Sequence, residues 1–307
     1  MISTLCCLLL ASCQQQNRHL KTAIFELTPV DSFDVSRLKM YLVNSIVLHD
    51  STLFISSTLS KTIVKTTLRF EPLAQFRMRG RGPFDLEDVS DLAVSEHHLY
   101  AIDFKQRKLV EFTHDLVPIS EILSDPPPLS ILAVKNRLLW LGSFDLAFED
   151  VYVVDVESGT FSNHGSSIST DLPMEGLVFH AKNSTGDILR YRQFNHRLDL
   201  FQVNGRQQTF YNKTQPKRPL VVERVPGYPL FEKKIHHSAF LTSHQACVLS
   251  GNHSQNNQPV QCFDFTGELV AQYRLRQDPS LISVYTDSTL FTYSQLNNYI
   301  YVYHLGF

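Results

Sequence analysis

The sequence predicts an all-β fold, a six-bladed β-propeller with an N-terminal strand closing the last blade. Three observations carry this. Phe (21) and Tyr (12) are plentiful against one Trp, and many sit in short runs with β-branched neighbours, which favours strands. A unit of strand, turn, strand, turn, strand recurs six times. A pentapeptide is also copied: Asp50-Ser51-Thr52-Leu53-Phe54 returns as Asp287-Ser288-Thr289-Leu290-Phe291.

The units run in order. The first spans Ile46-Val47-Leu48, Leu53-Phe54 and a further strand. The second has Asp91–Val94, Leu99–Asp103 and Lys108–Phe112. The third has Ser130–Val134, Leu138–Leu141 and Val151–Asp155. The fourth has Gly176–His180, Ile188–Tyr191 and Arg197–Phe201. The fifth has Ser238–Leu241, Ala246–Leu249 and Val260–Asp264. The sixth has Leu281–Tyr285, Leu290–Tyr293 and Tyr299–Tyr303. The second strands align at Leu53, Leu99, Leu138, Leu189, Val248 and Leu290, with gaps of 46, 39, 51, 59 and 42 residues. A period of about 40–50 residues with several strands per unit is a propeller signature. The longest gap holds the Pro-rich stretch Pro216–Pro229. Proline donates no ladder hydrogen bond, so this stretch reads as a loop. Leu73–Met78 and Phe144–Asp150 are too short to read as helices.

The sixth unit supplies three strands by Phe307. Ala23–Leu27 is an apolar strand without a unit of its own. It reads as the outer strand of the last blade, which would close the ring and remove an exposed edge. An open β-sandwich is the alternative.

Ahead of the propeller (21–307), residues 1–12 read as a signal peptide and 13–20 as a lipidated tether. The stretch from Leu5 to Ala11 is apolar, followed by Ser12, Cys13 and three Gln. It is too short to be a lasting membrane span. Leu10-Ala11-Ser12-Cys13 resembles the lipobox of bacterial lipoproteins, which implies a lipid on Cys13 and an exported protein on the periplasmic or cell-surface side of a bacterial membrane. No Lys or Arg precedes the apolar run. A cytosolic protein with an apolar first strand is the alternative.

Of five cysteines, Cys6 and Cys7 leave with the signal segment. Cys247 and Cys262 flank a polar loop, Ser250–Pro259. Strands joined by that loop would set the two opposite one another, and an exported compartment permits a disulfide. That pairing is the favoured reading; two reduced cysteines packed as small apolar groups remain the alternative.

The formal net charge is −2, with 19% charged and 43% hydrophobic residues. This is globular composition with no basic field for a nucleic acid. The chain reads as a monomer. Arg79-Gly80-Arg81-Gly82-Pro83-Phe84, then Asp88–Val94 and Leu99–Asp103, resembles the blade junction of six-bladed propeller lipoproteins of Bacteroides-type bacteria. These are similar in turn to NHL-repeat and TolB-like propellers. The resemblance implies fold and export rather than a defined activity.

Motifs with chemistry are absent. Gly80-Arg81-Gly82-Pro83 lacks the third glycine of a dinucleotide fingerprint, and no phosphate loop, metalloprotease, nucleophile-elbow or calcium-loop motif occurs. His97-His98 and His236-His237 are neighbours, which point to opposite faces of a strand and so make poor shared metal ligands. Asp85, Glu87, Asp88 and Asp91 cluster before the inner strand of blade two. They read as a solvated acidic loop, or as calcium ligands of the kind lactonase-like propellers draw from several blades. Three glycosylation sequons begin at Asn183, Asn212 and Asn252.

The expectation is a non-enzymatic binding or scaffolding module at the cell envelope, for a protein, peptide or glycan, with no cofactor and no metal. The alternative is a metal-dependent hydrolase, lactonase or lyase with its site in the central channel and calcium as its cation. A sensor for a membrane partner is a variant of the first.

Overall fold

A computed structural model describes residues 24–306, apart from 79, 126, 136–137, 144–150, 164–177, 216–220, 226–227, 232–235, 251–258, 278 and 287. The signal segment, Cys13, the tether, Ala23, Arg79, Phe144–Asp150, Gly176-Leu177 and the Asn252 sequon lie outside the described residues.

Two short strands come first, β1 (Ile24–Leu27) and β2 (Asp31–Asp34), followed by a 3-10 turn over Val35–Leu38. Blade one is β3 (Val43–His49), β4 (Thr52–Ser57), β5 (Thr62–Thr67) and β6 (Pro72–Arg77). Blade two is β7 (Val89–Val94), β8 (His98–Asp103), β9 (Lys108–Thr113) and β10 (Pro118–Leu123). Blade three is β11 (Pro128–Lys135), β12 (Leu138–Ser143), β13 (Val151–Asp155) and β14 (Thr160–Asn163). Blade four is β15 (Val178–Lys182), β16 (Ile188–Arg192), β17 (Arg197–Phe201) and β18 (Gln207–Tyr211). A hairpin follows, β19 (Val221–Val225) and β20 (Tyr228–Phe231). Blade five is β21 (His236–Leu241), β22 (Gln245–Ser250), β23 (Pro259–Asp264) and β24 (Leu269–Leu275). Blade six is β25 (Leu281–Thr286), β26 (Thr289–Ser294) and β27 (Tyr299–His304), completed by β2. Each blade is an antiparallel meander. The inner strands touch in ring order, β3–β7–β11–β15–β21–β25 and back to β3. The fold is a six-bladed β-propeller closed by an N-terminal strand.

Two expectations are corrected. The strand closing blade six is Asp31–Asp34, antiparallel to β27 with Phe33 opposite Ile300. Ile24–Leu27 instead adds to blade five, parallel to β24, with Ile24 opposite Gln272 and Leu27 opposite Leu275. The apolar run was the more visible strand in sequence. The closing strand, Asp-Ser-Phe-Asp, has one apolar residue, and that ring stacks on Phe70 of blade one at 4.4 Å. The Pro-rich stretch contains a hairpin rather than only loop, with Glu223 opposite Pro229. A two-stranded ribbon outside the blades leaves edges free, and proline is tolerated at such an edge.

Blades pack face to face through apolar side chains. Buried clusters fill the interfaces of blades one and two (Phe54, Leu92, Phe112), two and three (Tyr100, Ile131, Leu141), four and five (Leu200, Phe210, Phe263), five and six (Cys247, Tyr273, Tyr303), and six and one (Ile55, Phe291, Ile300). Among the described residues, no apolar cluster of this kind fills the interface of blades three and four.

Candidate functional site

An up-and-down blade sends its second-to-third-strand turn, and the connection to the next blade, to one end of the ring. The other turns go to the opposite end. At the opposite end the connections are tight turns such as 50–51, 114–117 and 202–206. The first end is uneven. Blade two's strands meet there across 104–107 and 124–127, whereas in blades three to five the strand ends at this end are further apart in sequence: Ser143 and Val151, Asn163 and Val178, Tyr211 and His236, Ser250 and Pro259. Long connections on a rigid scaffold are where binding residues concentrate.

Beneath this end runs a belt of polar contacts around the axis. The inner strands of blades one, two, three and five each carry a register shift near their start, before Ser45, Asp91, Ser130 and Ser238. A bulge re-aims the residue that follows it. Ser45 Oγ donates to Asp91 Oδ1 at 2.8 Å, and Asp91 Oδ2 accepts from the Ile131 amide of blade three at 3.1 Å. Ser130 Oγ donates to the Val178 carbonyl of blade four at 3.0 Å. The Tyr191 phenol, raised by burial and by the Asp91 charge, is hydrogen-bonded to Ser238. Burial pushes Asp91 up to about 6, against the lowering effect of its hydrogen bonds to Ser45, Ile131 and Leu92. Gly142 lies against the Ser130–Val178 contact, where any Cβ would collide with both oxygens.

Blade four replaces apolar packing with charge. Register sets His180, Arg190, Asp199 and Thr209 in one row across its four strands, facing blade three. Asp199 is fully buried and holds Arg190 (3.2 Å), Arg192 (3.0 Å) and Arg197 (2.8 Å), and accepts from Thr209 at 2.6 Å. Desolvation opposes its charge, but Arg192, Thr209, Arg190 and Arg197 together keep its carboxyl below the usual range. The Arg190 guanidinium lies 5.0 Å from the Phe201 ring, and Trp140 meets both Phe201 and His180 edge-on. Desolvation, then the Arg190 and Arg192 charges, lower His180 to about 3. It is a neutral imidazole at physiological pH.

A second buried polar network joins blades four and five at the same end. Asn212 Nδ2 donates to Gln261 Oε1 (2.9 Å) and Ser250 Oγ (3.2 Å), and lies 3.3 Å from His236 Nε2. His236 Nδ1 is 3.0 Å from the Arg192 carbonyl. Burial lowers His236 to about 4, helped by His196 and His237. These groups lie at the strand ends that flank 212–235 and 251–258.

The residues singled out in sequence are dispersed. Glu87 pairs with Arg81 and Lys105, Asp88 with Lys105 and Thr58, and Asp91 with Ser45. The Gly-Pro junction is pinned from below: Gln106 donates to the Gly80 carbonyl, Lys108 to that of Gly82, and Asp103 accepts from the Glu87 and Asp88 amides. The His97-His98 pair sits at a turn, with His98 Nδ1 3.3 Å from Glu111. His236 is buried at the start of β21. Cys247 and Cys262 stand opposite one another on β22 and β23 and are joined as a disulfide. Asn183 and Asn212 are buried and hydrogen-bonded, so neither sequon presents its amide to solvent. Among the described residues, no three His, Cys, Asp or Glu side chains converge as metal ligands. No helix among them is long and apolar enough to cross a membrane. Sequence reasoning missed the Arg190, Arg192, Arg197 and Asp199 set. Its one signal was charge on alternate positions of two adjacent strands.

No family model and no curated protein matches the chain. Solved structures do. A member of the DUF4221 family from Bacteroides vulgatus aligns with a TM-score of 0.60 at 9% identity, over 91% of this chain and 97% of that one. A streptogramin B lyase aligns with a TM-score of 0.57 at 12% identity, over 90% and 87%. BamB from Moraxella catarrhalis aligns with a TM-score of 0.52 at 10% identity, over 91% and 98%. At such identities the likeness is one of fold: this chain shares the β-propeller architecture of proteins with different activities.

Proposed function

We propose that this chain is a binding or scaffolding module of the bacterial cell envelope, exported and held by lipid on Cys13. It presents the loop-bearing end of blades three to five to a protein, peptide or glycan. The observation that carries this is that, in three adjacent blades, the strand ends at one end of the ring are widely separated in sequence and are joined by buried polar contacts of Asn212 and His236. The reading assigns no cofactor.

The test is site-specific photocrosslinking in cells, with the crosslinker at Lys213 on the loop-bearing end or Asn204 on the opposite end. Adducts from Lys213 alone are expected. Adducts from Asn204 alone, or equally from both, would overturn the choice of surface. Incorporation of a clickable palmitate into the full-length chain, lost in Cys13→Ser, is expected for the anchor; an unlabelled chain would remove it.

A second reading, a metal-dependent hydrolase, lactonase or lyase using calcium, draws on Asp91, a carboxylate on an inner strand. Its oxygens are engaged by Ser45, Leu92 and Ile131, which favours the first reading. A rise in melting temperature with calcium or zinc, reversed by chelator, would favour the second.

A further inference from the structure

We infer that the free edge of β6, the outer strand of blade one, is a docking site for an extended peptide of a partner protein in which acidic and apolar side chains alternate. The inference does not rest on the loop-bearing end, since blade one lies across the ring from blade four.

Among the described residues, no strand pairs with the outer edge of β6. Met78 N–H donates inward to the Lys61 carbonyl, and the Phe76 carbonyl accepts inward from Thr62 Oγ1. Alternation along an antiparallel ladder then turns the N–H and C=O groups of Gln75 and Arg77 outward. The fold already accepts a fifth strand in this position elsewhere: β1 lies along the outer strand of blade five.

The two faces of the edge differ in chemistry. On one side a groove of about 390 Å³ is lined by Arg37, Lys39 and Arg77, with Leu38, Val64 and Leu73. Among the described residues, no carboxylate lines it. The nearby Asp34 is turned to the Ser36 amide. On the other side a groove of about 390 Å³ is lined by Phe76, Pro83, Phe84 and Pro118, with Arg77 and Asp85. Successive side chains of an added strand point to opposite faces. One set would therefore enter the cationic groove and the other the apolar one. Main-chain bonds supply affinity and the alternate pockets supply specificity, as in other strand-addition complexes. The other outer strands lack this combination: β2 carries Asp31 and Asp34, β10 carries Glu121, and β14 and β18 carry no charged residue.

The probe is a fluorescent peptide of about eight residues, a usual strand length, alternating glutamate and phenylalanine. Anisotropy on the full-length chain should show saturable binding. Binding should fall at least tenfold in the Arg37→Glu/Arg77→Glu variant, which should instead gain affinity for the lysine–phenylalanine peptide. These side chains are exposed or line an open groove, so the fold is preserved. Gln75→Pro, which removes an outward N–H, should abolish binding, and hydrogen exchange should slow at Gln75 and Arg77 on adding peptide. Equal binding of a peptide with the same residues in two blocks would overturn the proposal. So would unchanged affinity in the charge-reversed variant, protection at another edge, or no binding. Gln75 and Arg77 amides already protected without peptide would also overturn it, because the edge would then be held by the chain itself or a second copy.

Discussion

Ser45 of blade one donates a hydrogen bond to Asp91 of blade two at 2.8 Å, and the other oxygen of that carboxylate accepts from Ile131 of blade three. One side chain thus ties three blades near the axis. Its cost is desolvation, which pushes Asp91 up to about 6. A carboxyl raised in the native state binds more protons folded than unfolded, so its contribution falls as pH rises from about 4 to about 6. The difference is worth up to about 3 kcal/mol, and less for a half-buried group. Asp91→Asn should therefore gain on the wild type by about 2 kcal/mol between pH 4 and pH 7. Urea unfolding at both values checks this; a gap that does not change with pH would remove Asp91 as the titrating group.

His236 has the opposite sign. Burial lowers it to about 4, so the native state binds fewer protons. Its contribution is complete above the unfolded value of about 6.5 and is lost as pH falls toward 4. His236→Gln should therefore fall behind the wild type by about 3 kcal/mol between pH 4 and pH 7, the equivalent of its shift. Because Asp91 and His236 oppose each other over this window, each single variant should show a steeper pH dependence from the partner that remains. Parallel profiles for the two variants would contradict the assignment.

Asp199 is the shared counterion of three arginines in blade four. Removing one partner of a buried ion cluster leaves uncompensated charge, at a cost of about 3–5 kcal/mol. Asp199→Asn should lower the denaturation midpoint accordingly, and hydrogen exchange should report faster opening of β15 and β16. A loss under about 1 kcal/mol would mean that the cluster is solvated like a surface pair.

Gly142 is needed for space, since a methyl group there meets the Val178 carbonyl and Ser130 Oγ. Gly142→Ala should cost about 1–3 kcal/mol by overpacking, read as a lower urea midpoint. Gly205 has nothing within 4 Å of a Cβ, but its φ of 85° is one that glycine favours. Gly205→Asn, a residue that tolerates this region, is the control expected to be near neutral. Equal losses in both would refute the packing argument.

Cys247 and Cys262 are fully buried between blades five and six and are separated by 15 positions in sequence. Closing a loop of about that length restricts the unfolded chain by about 3 kcal/mol. The Cys247→Ala/Cys262→Ala variant should lose about 2–4 kcal/mol against the oxidised wild type and be insensitive to reductant. A wild type whose midpoint does not respond to reductant would argue against the bond in solution.

Much of the ring was legible in sequence. The copied pentapeptide marks equivalent turns of blades one and six, and the second-strand apolar residues at Leu53, Leu99, Leu138, Leu189, Val248 and Leu290 all fall on second strands of blades. Strand order within a blade follows from meander connections, and apolar alternation reports which residues turn inward. The site was far less legible. Asp91 looked like one member of an acidic loop, because its partners Ser45 and Ile131 are 46 and 40 positions away and ordinary in themselves.

The sequence alone determined the all-β class, the number of blades and the need for a strand from the N-terminal side, since each depends on local periodicity and repeat count. The tertiary structure decided which N-terminal strand closes the ring, which blade interface carries charge, and which end carries the long connections. Those outcomes depend on register and on side chains meeting from distant blades. A strand with one apolar residue, Asp31–Asp34, closes the ring because Phe33 finds Phe70 across it, a contact that no periodicity along the chain reveals.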